Sequence, residues 1–350
     1  MRAEFPTISC IIPTYNSAKT IALCLQSIRQ QNYPQDKIET IIVDGGSKDD
    51  TLRIAHIYGT KIISTPPSKQ TAEYNKAIGV KAAKNELLLI LDSDNILPHN
   101  NWLKNMVQPL LDDHEIVGVD TLYIHYDKKF SLLDRYVGLY GSLDPVAYYI
   151  GNVDKLSRHS KRYNLYGQVT RIKNYYSVVF RPDRVPAFGS NGFLIRRKLL
   201  IEHALISPKY FSHIDVNVDL IKRGYNKYAF IIDDIVHLTG SRGIIDFLKR
   251  RKMFMEQNTL SRLKVKRYSV VQSKDIVSLI KYIFYTATFI KPLYDAFSGY
   301  RKIKDIAWFF HPFLCYIMLG IYSYVILKYS IQRVALRFKL IFFEKHKSVF

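Results

Sequence analysis

Near the end of its first hundred residues the chain reads Leu87-Leu88-Leu89-Ile90-Leu91-Asp92-Ser93-Asp94-Asn95, an apolar run followed at once by two aspartates. A short apolar run that ends in polar residues predicts a buried strand. Two carboxylates separated by one residue present hard oxygen atoms at the exit of that strand, and Mg²⁺ and Mn²⁺ prefer such ligands. The run therefore predicts a core strand with a divalent cation bound at its exit. A surface turn is the alternative for an isolated pair of aspartates.

Apolar runs and helical patterns alternate through the surrounding sequence. Strands are predicted at residues 7–12, 38–43, 61–64 and 86–91, and helices at residues 18–30, 49–58 and 71–83. This alternation predicts an α/β fold with a doubly wound, mostly parallel sheet. Ligands of such sheets bind beyond the carboxyl ends of the strands, so we expect a site at residues 13–16, 44–49 and 92–95.

The later part of the chain is less regular. Residues 130–186 are rich in tyrosine, basic residues and turn formers and give no clear pattern. Beyond them we expect a strand at residues 188–195, a helix at 213–223 and a strand at 228–232.

The composition indicates a folded protein that meets a membrane. Hydrophobic residues make up 48% of the chain, which excludes a disordered one. The net charge is +21, and residues 241–350 hold 21 Lys/Arg against 6 Asp/Glu, or +15 of it. The same residues carry the longest apolar runs, so an anionic membrane surface is favoured over nucleic acid.

The C-terminal pattern predicts a small membrane domain. Residues 243–263 mix apolar and basic positions, as in an interfacial amphipathic helix. Residues 306–327 are 22 in number without Lys, Arg, Asp or Glu, enough for one span; a buried core helix is the alternative. Residues 276–297 form a weaker span, and residues 331–343 an interfacial segment or a third short span. We therefore expect a catalytic domain at 1–240, an interfacial helix at 241–267 and a membrane domain of two or three transmembrane helices at 268–350.

Cysteine usage and the N-terminus point to the cytoplasm. The three cysteines lack metal-ligand spacing and predict reduced thiols. The first residues lack the apolar segment typical of a signal peptide. We expect a multi-pass protein of the cell membrane whose catalytic domain faces the cytoplasm.

Two further motifs lie at predicted strand ends. Asp44-Gly45-Gly46-Ser47 combines a carboxylate that can accept from a base N–H with glycines that allow a tight turn. Asp49 follows as the expected N-cap of the next helix. At the end of the first strand, Tyr15 can stack on a nucleobase and Asn16 can cap the following helix.

Four motifs, taken in order and spacing, resemble one known family: residues 13–16, residues 43–51, Asn75-Lys76-Ala77 and residues 92–94. The chain is similar to the inverting GT-A-fold glycosyltransferases of family 2, which include cellulose synthases and dolichyl-phosphate mannose synthases. The resemblance covers residues 8–237 and is specific for the motifs as a set. It implies a nucleotide-diphosphate sugar as donor, GDP-mannose or a UDP-sugar, and a divalent metal, Mn²⁺ or Mg²⁺, as cofactor.

The resemblance also implies roles for single residues. The nucleotide-sugar site would be formed by Pro13, Tyr15, Asn16, Asp44, Gly45, Asn75, Asp92 and Ser93. The metal ligands would be Asp92, Asp94 and His237. For His237, a hydrogen-bonded core histidine is the alternative reading.

Residues on the acceptor side follow from the same resemblance. Residues 188–197, with Gly192, match the strand where the family binds its acceptor. His213-Ile214-Asp215 falls at the catalytic-base motif, where most members have an acidic residue in place of His213. Asp215 is therefore the expected base, with Asp219 as the alternative, and an ionised phosphate acceptor needs a base less.

The segment after the catalytic domain separates this chain from processive relatives. They carry a Gln-x-x-Arg-Trp motif where this chain has residues 249–252, and its absence argues against a long-chain polymerase. Arg250 and Arg251 lie there as candidate ligands of a lipid or nucleotide phosphate.

Together these features predict a metal-dependent, inverting membrane hexosyltransferase. The donor expected is GDP-mannose and the acceptor a polyprenyl (dolichyl) phosphate or a lipid-linked saccharide. The alternatives are a short-chain polysaccharide synthase that uses a UDP-sugar and a non-catalytic membrane scaffold that retains the fold. A nucleotidyltransferase would want a glycine-rich, basic loop after the first strand, which residues 13–16 do not supply.

Overall fold

The computed structural model describes residues 5–153, 155–159, 166–209, 211–256, 267–268 and 272–347. Within them one ten-stranded sheet forms the centre of the protein. Its strands are β1 Ile8–Thr14, β2 Ile38–Asp44, β3 Lys61–Ser64, β4 Leu87–Ile90, β5 Asn95–Ile96, β6 Gly118–Ile124, β7 Gly167–Ile172, β8 Tyr175–Phe180, β9 Phe193–Arg196 and β10 Lys227–His237.

Helices pack on both faces of this sheet and continue beyond it. They are α1 Ile21–Arg29, α2 Thr51–Ile57, α3 Ala72–Ala82, α4 Trp102–Asp112, α5 Leu132–Tyr140, α6 Pro145–Ile150, α7 Arg197–His203, α8 His213–Lys222, α9 Ile244–Phe254, α10 Ile276–Thr288, α11 Ile290–Lys302 and α12 Phe310–Lys347. Successive side chains of a strand point to opposite faces. Accordingly, Cys10 of β1 packs in the cluster of α1 and α4, whereas Ile11 packs with Val80 of α3 in the other cluster.

The sheet is mixed, so the expectation of a mostly parallel sheet was wrong. The strand order is β3-β2-β1-β4-β9-β6-β10-β8-β7. Neighbours in the part β3-β2-β1-β4 run parallel, as the alternation predicted. The antiparallel part arises because β9 inserts between β4 and β6, and because β7 and β8 form a hairpin at the far edge. That hairpin comes from the middle segment whose sequence shows no regular pattern.

Two strand boundaries differ from the prediction in ways that shape the site. β9 begins at Phe193 and not at residue 188, since Gly189 and Gly192 adopt positive φ angles of 103° and 77° and turn the chain before the strand. β10 continues past residue 232 through a register shift between Ile231 and Asp234. Its last residue, His237, thereby pairs with Asn95 directly after the Asp92–Asp94 motif.

The helices after residue 240 share a hydrophobic cluster with α5. Trp308 is fully buried there and its ring lies 4.8 Å from that of Tyr140. Phe247 of α9 belongs to the same cluster. Gly299 of α11 permits the close approach, because a Cβ atom at this position would lie 2.4 Å from the Trp308 ring. The C-terminal helices are thus packed directly against the middle of the chain.

One described helical segment, Ile306–Arg333, is long and apolar enough to cross a membrane. The weaker predicted span is broken: α10 and α11 meet at an angle of 82°, with Phe289 between them at φ 58°. The third predicted segment, residues 331–343, is the continuation of α12. Of the predicted amphipathic helix at 243–263, α9 covers the first part, and residues 257–263 lie outside the described residues. The three domain boundaries stay predictions.

The ion pair of Lys155 with Asp120, a residue of the central strand β6, is fully buried. Removing one partner of a buried pair leaves an uncompensated charge. We expect Lys155→Met to lower the free energy of unfolding by about 3–5 kcal/mol, measured by chemical denaturation. The double variant Asp120→Leu/Lys155→Met should recover most of this loss, and an unchanged stability of Lys155→Met would contradict the buried pairing.

Candidate active site

The carboxyl ends of β1, β2 and β4 meet at one edge of the sheet. The parallel register places Thr14 beside Asp44, and the Gly45 N–H donates to the Thr14 carbonyl over 2.9 Å. Across the next loop, the hydroxyls of Ser17 and Ser93 lie 2.8 Å apart. The three polar segments that the sequence predicted to converge therefore do so.

Asp44 shapes the loop after β2. Its side chain is 1% exposed, and one oxygen accepts the N–H groups of Gly46 and Ser47 over 2.9 and 2.8 Å. The other accepts the hydroxyls of Thr14 and Ser47. Four hydrogen bonds use the lone pairs of a carboxylate. The contact of Asp44 with a nucleobase stays a prediction. The observed hydrogen bonds show that this side chain stabilises the turn after β2.

Asn16 joins two of these loops. It adopts a φ of 49°, and its side-chain oxygen accepts the Lys48 N–H over 2.8 Å. The expectation that Asn16 caps the following helix was wrong, because α1 begins only at Ile21. Asp49 accepts the N–H of Thr51, the first residue of α2, but the N-cap residue of that helix is Asp50, so the predicted cap position was wrong by one residue.

The remaining predicted nucleotide-site residues line the same edge. Pro13 lies in buried β1, and Tyr15 directly after it is 40% exposed, which leaves its ring accessible to a ligand. Asn75 is buried and donates to the Val43 carbonyl over 3.2 Å. Gly45 is required there, since a Cβ atom would lie 2.1 Å from Cγ of Gln70. These contacts hold α3 against the loop after β2.

Lys76 forms a charged contact to which sequence analysis assigned no role. Its side chain is 2% exposed, and the ammonium lies 3.0 Å from Oδ1 of Asp92 and 4.0 Å from Oε1 of Glu73. Burial alone lowers the pKa of Lys76, but the carboxylates of Asp92 and Glu73 outweigh it and raise that pKa. The ammonium therefore stays charged next to the strand exit. Lys76 lies inside the motif Asn75-Lys76-Ala77, which was the available signal.

Asp94 and His237 form the second charged contact. Oδ1 of Asp94 lies 3.5 Å from Nε2 of His237, and Thr239 Oγ1 lies 3.3 Å from the same nitrogen. The backbone fixes this arrangement, because the Leu238 N–H donates to the Asp94 carbonyl over 2.9 Å. Nδ1 of His237 is buried with no hydrogen-bond partner among the described residues.

This pair fits a divalent cation that takes most of its ligands from the substrate. Mg²⁺-like ions bind through one or two protein groups and complete their shell with phosphate and water oxygens. Asp94 and His237 supply two donor atoms that face each other. No cluster of three or more metal-ligating side chains occurs in the described part of the chain. Asp94 and His237 are the residues that would hold the ion. Asp92 contacts Lys76, and its role as a metal ligand stays a prediction. When bound, the ion would act as a Lewis acid for a departing diphosphate.

The predicted base Asp215 is turned towards another segment. It is 2% exposed, and its carboxylate accepts the N–H groups of Arg267 and Tyr268, each over 3.2 Å. The alternative, Asp219, lies 2.7 Å from the guanidinium of Arg267. The role of Asp215 as a base stays a prediction.

His213, at the start of α8, contacts the α3 side of the site. Its Nδ1 lies 2.8 Å from Oε1 of Glu73. Burial alone raises the pKa of Glu73, but its contacts with His213 and Lys76 outweigh burial and lower that pKa to about 2. Sequence reasoning missed this pair, because no local pattern connects residues so far apart in the chain.

The two predicted phosphate-binding arginines have different surroundings. Arg250 donates to the Thr239 carbonyl over 3.0 Å, beside the loop that holds His237. Arg251 lies 2.6 Å from the Asp144 carboxylate and also donates to the Tyr322 hydroxyl. Arg250 is thus near the candidate metal ligands, whereas Arg251 connects α9 with the start of α6 and with α12.

Gly192 lies at the exit of β4. Its N–H donates to the Ile90 carbonyl over 3.0 Å, two residues before Asp92. With its positive φ, it is the turn that leads into β9. The predicted acceptor-side residue is therefore next to the candidate metal motif, and its contact with an acceptor stays a prediction.

Known proteins resemble this chain in sequence. The family model described as Glycosyl transferase family 2 matches residues 9–203, more than half of the chain. The chain is 33% identical over 114 residues to Glycosyltransferase AglE of Haloferax volcanii, which covers 31% of this chain and 37% of AglE. A second relative is the Methanococcus voltae "Dolichyl N-acetyl-alpha-D-glucosaminyl phosphate 3-beta-D-2,3-diacetamido-2,3-dideoxy-beta-D-glucuronosyltransferase", 32% identical over 108 residues, or 29% of this chain and 33% of that protein. The matches span about a third of each relative.

Solved structures resemble it in fold. The mannosyltransferase PcManGT from Pyrobaculum calidifontis, in complex with GDP-Man and Mn²⁺, superposes with a TM-score of 0.52 at 15% sequence identity. The superposition covers 93% of this chain and 88% of that chain. At this identity the likeness is one of fold, and it agrees with the mixed α/β sheet.

The Asp94–His237 pair predicts metal-dependent stabilisation by a nucleoside diphosphate. With Mn²⁺ and UDP or GDP at about 100 times the dissociation constant, the wild type should gain about 2.7 kcal/mol in stability. Asp94→Ala should lose this gain in a thermal-shift measurement. The matched control is Asp50→Ala, since Asp50 is an exposed carboxylate paired with Arg53. An equal gain in Asp94→Ala would contradict the assigned metal site.

Proposed function

The chain belongs to glycosyl transferase family 2 and is a glycosyltransferase, and on that premise we propose that it transfers a hexose from a nucleotide-diphosphate sugar to an acceptor carried by a membrane lipid. A divalent cation held by Asp94 and His237 assists the transfer. The observation that carries this proposal is the contact between these two side chains at the sheet edge, 3.5 Å apart and two residues after Asp92, which contacts the buried ammonium of Lys76.

In this proposal, different residues at the edge of the sheet contact different parts of the donor. The exposed ring of Tyr15 stacks on the nucleobase, and the loop held by Asp44 and Asn16 lies against the nucleoside. Lys76 offsets the carboxylate of Asp92, so that the anionic diphosphate does not meet an uncompensated row of aspartates. In an inverting transfer the acceptor oxygen attacks the anomeric carbon on the face opposite the diphosphate, and both reactants must be held in line.

The donor we propose first is GDP-mannose, with a UDP-sugar as the alternative. The resemblance to dolichyl-phosphate mannose synthases supports GDP-mannose. PcManGT, which shares the fold, was solved with GDP-Man and Mn²⁺. Mn²⁺ or Mg²⁺ is accordingly the cofactor that we propose.

The acceptor is proposed to be lipid-linked because the C-terminal helices expose apolar surface. α10 exposes Ile280 and Phe284, each by about 60%, and only 33% of the most apolar stretch of Ile306–Arg333 is buried within the protein. Exposed apolar surface of this extent, with +15 of net charge in residues 241–350, suits an anionic membrane. We propose a protein of the cell membrane whose catalytic domain faces the cytoplasm. The name of the Methanococcus voltae relative also refers to a dolichyl-linked sugar phosphate.

Two other functions fit the fold. A short-chain polysaccharide synthase would use a UDP-sugar and extend its product repeatedly. A non-catalytic scaffold would bind the membrane without turning over any donor. The contact of Asp94 with His237 favours a catalytic protein over the scaffold, and the length of the product separates the two enzymes.

The proposal is tested by release of nucleoside diphosphate from GDP- and UDP-sugars. The detergent-purified protein is assayed with Mn²⁺ and, in parallel, polyprenyl phosphate and a polyprenyl-diphosphate-linked N-acetylglucosamine. We expect one donor to be consumed in a lipid-dependent manner, with at least a 100-fold loss in Asp94→Ala and none in Asp50→Ala. Lipid-independent release, or release unaffected by Asp94→Ala, would contradict the proposal.

A further inference from the structure

His213 and Glu73 form a pair whose geometry is that of an oriented base. Glu73 accepts both the backbone N–H of His213 over 2.9 Å and the ring Nδ1 over 2.8 Å. The carboxylate thereby fixes the ring and selects the tautomer with the proton on Nδ1. Nε2, the other nitrogen, has no hydrogen-bond partner among the described residues and is left to accept a proton.

The carboxylates on the same helix are engaged elsewhere. The Asp215 carboxylate is buried and accepts the backbone N–H groups of Arg267 and Tyr268. Asp219 is paired with Arg267 and also accepts the Leu205 N–H. Of the ionisable side chains in α8, the ring of His213 is the one that is partly exposed, by 21%, and oriented by a neighbouring carboxylate.

A short series of contacts connects this ring with the donor site. Nδ1 of His213 lies 2.8 Å from Oε1 of Glu73, and the same oxygen lies 4.0 Å from Nζ of Lys76. Nζ lies 3.0 Å from Oδ1 of Asp92. The distance from Nδ1 of His213 to Oδ1 of Asp92 is therefore at most the sum of these three distances. The ring lies on the α3 side of the strand exit.

We infer that His213, positioned by Glu73, is the general base of the transfer and that the acceptor is a saccharide hydroxyl. This inference rests on the proposed function. Nε2 takes the proton of the hydroxyl while its oxygen bonds to the anomeric carbon. The bond from that carbon to the diphosphate oxygen breaks, and its electron pair leaves with the nucleoside diphosphate. The proton on Nε2 then passes to solvent.

The charges around His213 favour a hydroxyl over an ionised phosphate. Glu73 and Asp92 lie on this side of the site, with the ammonium of Lys76 between them. A phosphate would enter a region of net negative charge, whereas a neutral hydroxyl would not. A hydroxyl also needs a base, which a phosphate does not. The acceptor class that follows is a lipid-linked saccharide.

The test uses the full chain, Mn²⁺, the donor that the wild type consumes, and polyprenyl-diphosphate-linked N-acetylglucosamine. We expect His213→Ala to slow release of the nucleoside diphosphate by at least 100-fold. Added imidazole should raise the rate of release by His213→Ala at least tenfold, since it fills the space that the side chain leaves. Glu73→Gln should slow release by 10- to 100-fold with little change in the donor KM, and the exposed control His56→Ala should not change it.

The outcomes separate the inference from the proposed function. Thermal unfolding and Mn²⁺-dependent binding of UDP or GDP first establish that each variant is folded. Transfer by His213→Ala within twofold of the wild type, loss without rescue by imidazole, or transfer by the wild type to polyprenyl phosphate alone would overturn this inference and leave a glycosyltransferase. The absence of any release in the wild type would overturn the proposed function, and this inference with it.

Discussion

The buried ammonium of Lys76 is the interaction on which the arrangement of the site depends. A buried charge is tolerated only when it is paired, and Lys76 lies between Asp92, after β4, and Glu73, on its own helix. Since Glu73 also contacts His213, one cation connects α3, the strand exit and the start of α8. Because Asp92 pairs with Lys76, Asp94 is the carboxylate of this motif that contacts His237, at the end of β10. The site has two charged halves, and we propose that one binds the cation and the donor and the other the acceptor.

The C-terminal helices are coupled to this site through packed contacts. Arg250 donates a hydrogen bond to the Thr239 carbonyl, in the loop that follows His237. Arg251, on the same helix, forms an ion pair with Asp144. The cluster of Trp308 with α5 fixes the apolar helices against the middle of the chain. The apolar surface of the C-terminal helices, which we propose to meet the membrane, is thus connected through α9 to the loop that follows His237. This connection suits an enzyme whose acceptor comes from the bilayer.

The parts that sequence analysis predicted are those in which local pattern decides the structure. The strands β1 to β4 and the convergence of their loops followed from short apolar runs and their polar ends. The hairpin of β7 and β8 and the position of β9 depend on distant pairing, and no local pattern indicates them. The same holds for contacts between remote side chains: Glu73 with His213 and Asp215 with Arg267 cannot be inferred from spacing. The motif position of Asp215 indicated a base, whereas its burial depends on a segment 52 residues later.

The central claim is that Asp94 and His237 hold a divalent cation at the exit of β4. Anomalous diffraction at the manganese edge, from crystals grown with Mn²⁺ and UDP or GDP, tests it most directly. We expect one strong peak within coordination distance of an Asp94 carboxylate oxygen and Nε2 of His237, about 2.0–2.3 Å away, with the diphosphate on its open side. A peak elsewhere, or a nucleotide bound at this edge without manganese, would contradict the account.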